Sequence, residues 1–391
     1  MSNFTIESEA GILATLAGIC AFFFWLERST RWRLFNYLPP LIFIYLIPVI
    51  FSATNVLPND APVYDAFSRL VLPMMLVLLM LKVDIRGAVE TLGRGVAVML
   101  FGTLGVMVGA PIGLLVVKGW LGPDAWKAFG VLSGSWIGGT GNMAAVSEMI
   151  EAEGAAVGLA VIGDSVIYLF WLPILLASKN WASVFSRWVG VSEESMNSLP
   201  MANEVDEHAA SQATPSTPDF LTMLAVAFAA TWLADVISGV LPTVEPYLTA
   251  SSWRVLLITA IGISLSLTNL RDLPASHELA MALVYLFVAR MGAKTDLSAA
   301  AEQALPFLLG AAIWILIHGG FCLLGAKLMK VDIHTAAIAS AANIGGAASA
   351  TIVASHHDER LVPTSILMAL LGYAVGNFAA YGTALICSWV A

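Results

Sequence analysis

SGSWIGGTGN, residues 133–142, interrupts a hydrophobic run with four glycines, two serines, a threonine and an asparagine. Glycine in a helix interior costs about 1 kcal/mol against alanine, so this is poor material for a helix through lipid. Read as a continuous span or as a break, the stretch decides how often the chain crosses a membrane. It also decides how the two halves of the chain are oriented.

The surroundings identify the solvent. The chain of 391 residues is 59% hydrophobic and 12% charged, with a mean hydropathy of +0.83; soluble proteins carry about twice that charge. Apolar runs of about 17–25 residues, the length that spans a bilayer as a helix, recur along it. The chain therefore reads as an all-α polytopic membrane protein. Its N-terminus, MSNFTIESEAG, is acidic where a cleavable signal needs a positive start, so the first apolar run is expected to be a span. The formal charge of -9 lies largely in loops and tails, and no basic tract invites nucleic acid. Cys20, Cys322 and Cys387 fall in apolar segments without metal-ligand spacing and read as packing residues.

Twelve hydrophobic segments follow, at about 10–26, 37–53, 66–82, 95–117, 126–150, 155–178, 219–241, 252–268, 278–292, 304–329, 334–355 and 361–389. The one long polar stretch, 180–218, is acidic and turn-rich, with too few apolar residues to fold alone. It reads as a linker, expected to be cytoplasmic, between a first repeat (1–179) and a second (219–391). SATN (52–55) and VDIRGA (from Val83) have counterparts in SLTN (266–269) and TDLSAA (from Thr295). SGSWIGGTGNMAAVSEM (133–149) aligns without gaps to SAANIGGAASATIVASH (340–356), and GDSVIYLF from Gly163 matches GYAVGNFA from Gly372. The common order of these matches predicts an internal duplication.

Two topologies are compatible with twelve segments. If all cross, the halves point the same way. If the glycine-rich fifth and eleventh segments are re-entrant hairpins, each half crosses five times and the halves are inverted. With the N-terminus outside, the first topology puts ten of the 18 Lys and Arg inside, the second twelve. The positive-inside bias favours inverted repeats of about five spans, each with one Gly-rich re-entrant or broken helix.

Non-helical backbone at membrane depth is tolerated where it is buried in protein or lines a wet cavity. Breaks at two Ile-Gly-Gly sites would free helix N-termini for an anionic group and carbonyls for a cation. The expected substrate-binding residues are Ser133, Ser135, Gly138, Gly139, Thr140 and Asn142 in the first break. In the second they are Asn343, Gly345, Gly346, Ser349 and Thr351, with Ser340 nearby. A single pair of small residues would mean only close helix packing. Asp164 lies within an apolar segment, where a carboxylate costs at least ~2.5–3.5 kcal/mol on insertion scales and should face the bundle interior or a cavity. It is expected to couple the ion, together with Tyr168 and their repeat counterparts Tyr373 and Asn377; a structural carboxylate is the competing reading. Asp235 reads as interfacial, Glu148 as a residue at the mouth of the first hairpin, and His318 as a packing residue. His356 and His357 lack further ligands for a metal. Trp136 and Trp171 suit a pocket wall or an interface anchor equally.

The paired SGSWIGGTGN and SAANIGGAAS segments, the GDS motif at 163–165 and LPPLIFIYLIPVIFSATN (38–55) resemble the YjcL-like family of bacterial membrane proteins of unknown function, over nearly the whole chain. That family is similar to the sodium/glutamate and 2-hydroxycarboxylate symporters, and more distantly to bile-acid symporters and cation/proton antiporters. The resemblance implies inverted repeats, broken or re-entrant helices with Gly-Gly motifs, a bacterial inner-membrane location and a homodimer. Gly138, Gly139 and Gly141 match the GGxG signature of those symporters. Gly345 and Gly346 match its first two positions, while Ala348 replaces the last glycine.

The expectation is a secondary active transporter, coupled to Na⁺ or H⁺, for a small organic anion, amino acid or short peptide. A cation/proton antiporter is the alternative on the same fold; a channel and an intramembrane enzyme are further rivals. No Walker loop, dinucleotide fingerprint or nucleophile elbow occurs. No enzymatic activity and no cofactor are expected, and the partners are substrate, Na⁺ or H⁺, lipid and a second copy of the chain.

Overall fold

The computed structural model describes residues 5–32, 35, 40–191, 214–245, 248–295 and 297–391. Among them are twelve principal helices, one for each hydrophobic segment: α1 (Glu9–Thr30), α2 (Pro40–Ala53), α3 (Pro62–Leu81), α4 (Arg94–Val117), α5 (Ala125–Met149), α6 (Ala155–Ala177), α7 (Thr217–Ser238), α8 (Ala250–Ser266), α9 (Ser276–Ala293), α10 (Leu297–Met329), α11 (Ile333–His357) and α12 (Val362–Val390). No strand is present among the described residues. Capping chemistry sets several starts: Ser8 accepts from Gly11 N, Asp332 accepts from Thr335 N at 2.7 Å, and Ser216 with Asp219 forms a capping box. Among the described residues eight helices, α11 among them, are long and apolar enough to cross a bilayer by length and composition alone, with α2 and α8 shorter but apolar. The protein is a multi-pass membrane protein.

Helices α5 and α11 do not cross. Lys127 Nζ donates to Glu151 O at 3.1 Å, and His334 Nδ1 lies 2.9 Å from His357 Nδ1. A straight helix would separate such residues by about 35 Å at ~1.5 Å per residue. A β-carbon on Gly134 would lie 2.8 Å from the Cα of Met143, so the two limbs of α5 run side by side. The turn comes at Gly138 (φ -143°, ψ 16°) and Gly139 (φ 76°, ψ -172°) in α5, and at Gly346 (φ 64°, ψ -156°) in α11. Both segments are re-entrant hairpins.

Contacts between helix ends sort them into two faces. On one face Ile6 N donates to Val56 O, Ser52 Oγ to Ala293 O, Lys118 Nζ to Val390 O, and Ser252 Oγ to Met149 O at the mouth of the α5 hairpin. On the other, Lys82 Nζ donates to Arg271 O, Arg94 Nη1 to Met329 O, and Lys179 Nζ to His356 O at the mouth of the α11 hairpin. The second face carries the basic loops. The hairpins therefore enter from opposite faces. Exposed cysteines at Asp124→Cys and Glu151→Cys are predicted to react with an impermeant thiol reagent from one side of the membrane, and Lys330→Cys and His356→Cys from the other. Labelling of Asp124→Cys and Glu151→Cys from different sides would contradict the hairpin.

The helices pack as two bodies. In the first, α9 lies on α2 and α3, and α8 lies on α3 and α7. In the second, α4 packs on α10 and α5 on α12, with α6 and α11 alongside. Close approach of α4 to α10 uses Gly105, Gly109 and Gly113: a β-carbon on Gly105 would sit 2.9 Å from the His318 Cα. Of the linker expected at 180–218, Ala182–Val189 is a helix packed on α10 and α11, residues 192–213 lie outside the described residues, and α7 begins at Thr217.

Candidate functional site

The turn of each hairpin ends one half-helix and starts another. The limb that follows each turn presents its first N–H groups there, because the initial turn of a helix has no internal acceptors for them. The two turns meet: a β-carbon on Gly139 would be 3.9 Å from the Cα of Gly346 and 3.4 Å from the Tyr373 ring. Only glycine fits comfortably at positive φ with ψ near 180°.

Beside the turns lies a cavity of about 390 Å³ between the two bodies. The hairpin body contributes Ser135, Gly139, Thr140, Asp164, Tyr168, Gly345, Gly346, Ser349 and Tyr373 to its wall. These nine of the fifteen residues expected from sequence are brought together. Across from them stand Leu41 and Ile42 of α2, Leu79 of α3, and His277, Met281 and Tyr285 of α9. Leu41, Leu79 and His277 lie near the helix ends of the basic face, so the cavity extends toward that face.

Asp164 is half-buried on the wall, and its Oδ1 accepts a hydrogen bond from Trp136 Nε1 at 3.0 Å. Ser135 lies beside the same carboxylate. Among the described residues no Lys or Arg forms an ion pair with it. The Tyr168 hydroxyl is buried beside Ser349, and the Tyr373 hydroxyl sits against the Gly346–Ala347 backbone. The cavity thus joins one carboxylate, two phenols, several hydroxyls and two half-helix starts on the hairpin side to a third phenol (Tyr285), an imidazole (His277) and apolar side chains across from them.

The other six expected residues stand behind this wall. Ser133 donates to Gly130 O and Ala380 O, and Asn343 donates to Met99 O at 3.0 Å while accepting from Thr103. Asn142 Nδ2 donates to Tyr373 O at 2.9 Å, and Asn377 Nδ2 to Thr259 Oγ1 at 2.8 Å. Among the described residues their Oδ1 atoms are buried and have no hydrogen-bond partner. Gly138 packs against Gly372 O, and the Thr351 hydroxyl bonds back to Ala348 O. Trp136 and Trp171 do not line this cavity; both are buried hydrogen-bond donors, to Asp164 and Ser340 respectively, and Trp171 lines a different, outward-facing groove. His318 is fully buried with both ring nitrogens engaged, by Gly102 O and Ser340 Oγ. Asp235 pairs with Arg254 at 2.8 Å near the end of α7.

Sequence reasoning missed His277, Met281 and Tyr285, which have no break or intramembrane carboxylate to mark them. On the face opposite the basic loops, the two bodies are tied together. Ser68 Oγ donates to Glu148 Oε2 at 2.8 Å and accepts from Arg290 Nη2 at 2.9 Å, while Lys294 pairs with Glu153. Glu148 thus stands at the hairpin mouth and helps close that face.

Residues 14–390 match the model of a family described as "Protein of unknown function (DUF819)". The chain is also 27% identical, over 340 residues, to the "Uncharacterized membrane protein YjcL" of Bacillus subtilis (strain 168), covering 84% of this chain and 85% of that protein. The resemblance to YjcL-like membrane proteins thus extends along most of the chain.

Proposed function

We propose that this chain, which belongs to the DUF819 family, is a secondary active transporter of the bacterial cytoplasmic membrane. The observation that carries the reading is the meeting of two hairpin turns, entering from opposite faces, in a part-polar cavity between two helical bodies. Discontinuous helices meeting near the midplane are how secondary transporters build substrate and ion sites. The opposed hairpins and the order of sequence matches support an inverted duplication, with 1–179 and 219–391 as the repeats.

The half-helix starts at Gly139 and Gly346 suit the negative group of a small organic anion, an amino acid or a short peptide. Asp164, with Tyr168 and Tyr373, would hold Na⁺ or carry the proton. The unpartnered Oδ1 atoms of Asn142 and Asn377 add acceptors behind the turns. The arrangement corresponds to a state facing the basic, cytoplasmic side and closed on the outer side by Ser68, Glu148 and Arg290. Transport would move the hairpin body past α2, α3 and α9, and the scaffold faces of the early helices α1 to α3 would form the contact in a homodimer. No covalent chemistry or cofactor is required.

The test is uptake into vesicles containing the purified protein, with organic acids, amino acids and short peptides offered under imposed Na⁺ or H⁺ gradients. Saturable, gradient-driven accumulation supports the reading; flux that only runs downhill and does not saturate makes the protein a channel. The lack of an ion-pair partner for Asp164 also fits a cation/proton antiporter, which would exchange ions with no organic substrate present.

A further inference from the structure

A second cavity, of about 640 Å³, lies on the outer surface between α6, the short helix Ala182–Val189, α10 and the first limb of α11. Its size falls within the ~300–1,000 Å³ of small-molecule sites. Its walls are carbon: Trp171, Phe185, Trp188, Leu316 and Leu323 line it. Leu316 is 65% exposed, and Trp181, Val184 and Leu324 are exposed around it. A continuous apolar surface of this kind on a multi-pass protein faces lipid, so the groove opens into the bilayer.

Its dimensions match one leaflet. From Leu316 to Leu323 the groove follows α10 for roughly 10 Å at ~1.5 Å per residue. Lys327 stands one turn beyond its end, so groove and cation together span about half of the ~30 Å hydrocarbon thickness. Charge stands at one end only. Lys327 Nζ lies 4.5 Å from the centre of the Trp188 ring, and Arg187 is exposed beside Trp188 in the same short helix. Both belong to the basic face, where anionic headgroups of the cytoplasmic leaflet attract Lys and Arg.

We propose that this groove binds an anionic phospholipid of the cytoplasmic leaflet, with one acyl chain along the Trp171–Leu323 wall and the phosphate between Lys327 and Arg187. The floor is Ser340, whose hydroxyl accepts from Trp171 Nε1 at 3.0 Å. The acyl chain would therefore rest on the first limb of the α11 hairpin and brace it against α6. Gly320 widens the groove: a β-carbon there would meet nothing within 4 Å.

A photo-activatable amino acid at position 323, in protein purified from membranes containing phosphatidylglycerol, is expected to yield a phospholipid adduct by mass spectrometry. An adduct to residues 192–213 of the same chain, or to a second copy, overturns the proposal. In parallel, retention of phosphatidylglycerol should fall roughly thirtyfold when both cations are removed (Lys327→Ala with Arg187→Ala), with phosphatidylcholine retention unchanged. Gly320→Leu should fill the groove and abolish the adduct while the protein stays folded, because leucine is the better helix former. Equal retention of both lipids in the wild type and the variants would show that no headgroup site exists.

Discussion

Asp164→Asn is expected to shift the ion dependence of transport to roughly ten- to a hundredfold higher cation concentration while leaving the protein folded. The amide keeps an oxygen that can accept from Trp136 Nε1, a bond of 3.0 Å in the parent, so the wall geometry is retained. The negative charge is lost. A hydrogen bond to a charged group contributes about 1.5–3 kcal/mol, and each ~1.4 kcal/mol is tenfold in affinity. Affinity for the coupling cation should therefore fall roughly ten- to a hundredfold. A carboxylate inside a span is itself costly, by ~2.5–3.5 kcal/mol on insertion scales, so the variant's melting temperature should hold or rise. Uptake measured against Na⁺ and H⁺ gradients, beside a thermal melt, separates the two effects. Unchanged ion dependence in a folded variant would make Asp164 a structural carboxylate.

Alanine at the hairpin turns should be nearly as damaging, for a conformational reason. Gly139 and Gly346 have φ of 76° and 64° with ψ of -172° and -156°, a region essentially confined to glycine. Forcing a side chain into it costs about 1–3 kcal/mol at each position. At Gly139 the new methyl would reach the Tyr373 ring at 3.4 Å, an ordinary van der Waals contact, so the backbone conformation carries the cost. Gly139→Ala and Gly346→Ala are each expected to lower the uptake rate tenfold or more and to reduce the melting temperature. Gly18→Ala, in α1 with nothing within 4 Å of the added carbon, serves as control. It should leave transport intact and stabilise by a few tenths to ~1 kcal/mol. Equal behaviour at all three sites would remove the turns from the functional account.

The residues explain how much could be read in advance. Each of the twelve hydrophobic segments became a helix, because in a bilayer the backbone has no other partner and apolar length alone marks the span. Glycine pairs showed where two of them break. The choice between hairpin and crossing helix rested on few charges, and only contacts such as Lys127 with Glu151 make it plain. Asp164 was legible because a carboxylate in an apolar run stands out. Asn142 and Asn343 were recognisable as polar, but which way they point was not, since one residue turns a helical side chain by about 100°. Both point into the protein and hold backbone carbonyls. His277 and Tyr285 come from the other body and enter the site through packing across the two, which no spacing along the chain encodes.

Alternating access requires the hairpin turns to face each side of the membrane in succession. Thr140→Cys places a thiol on the cavity wall next to the first turn. In sealed vesicles of each orientation, impermeant thiol reagents are predicted to label it from both sides. Adding Ser68→Ala, which removes the hydroxyl between Glu148 and Arg290, should shift labelling toward the outer side. Reaction from the cytoplasmic side alone, with and without Ser68→Ala, would contradict alternating access.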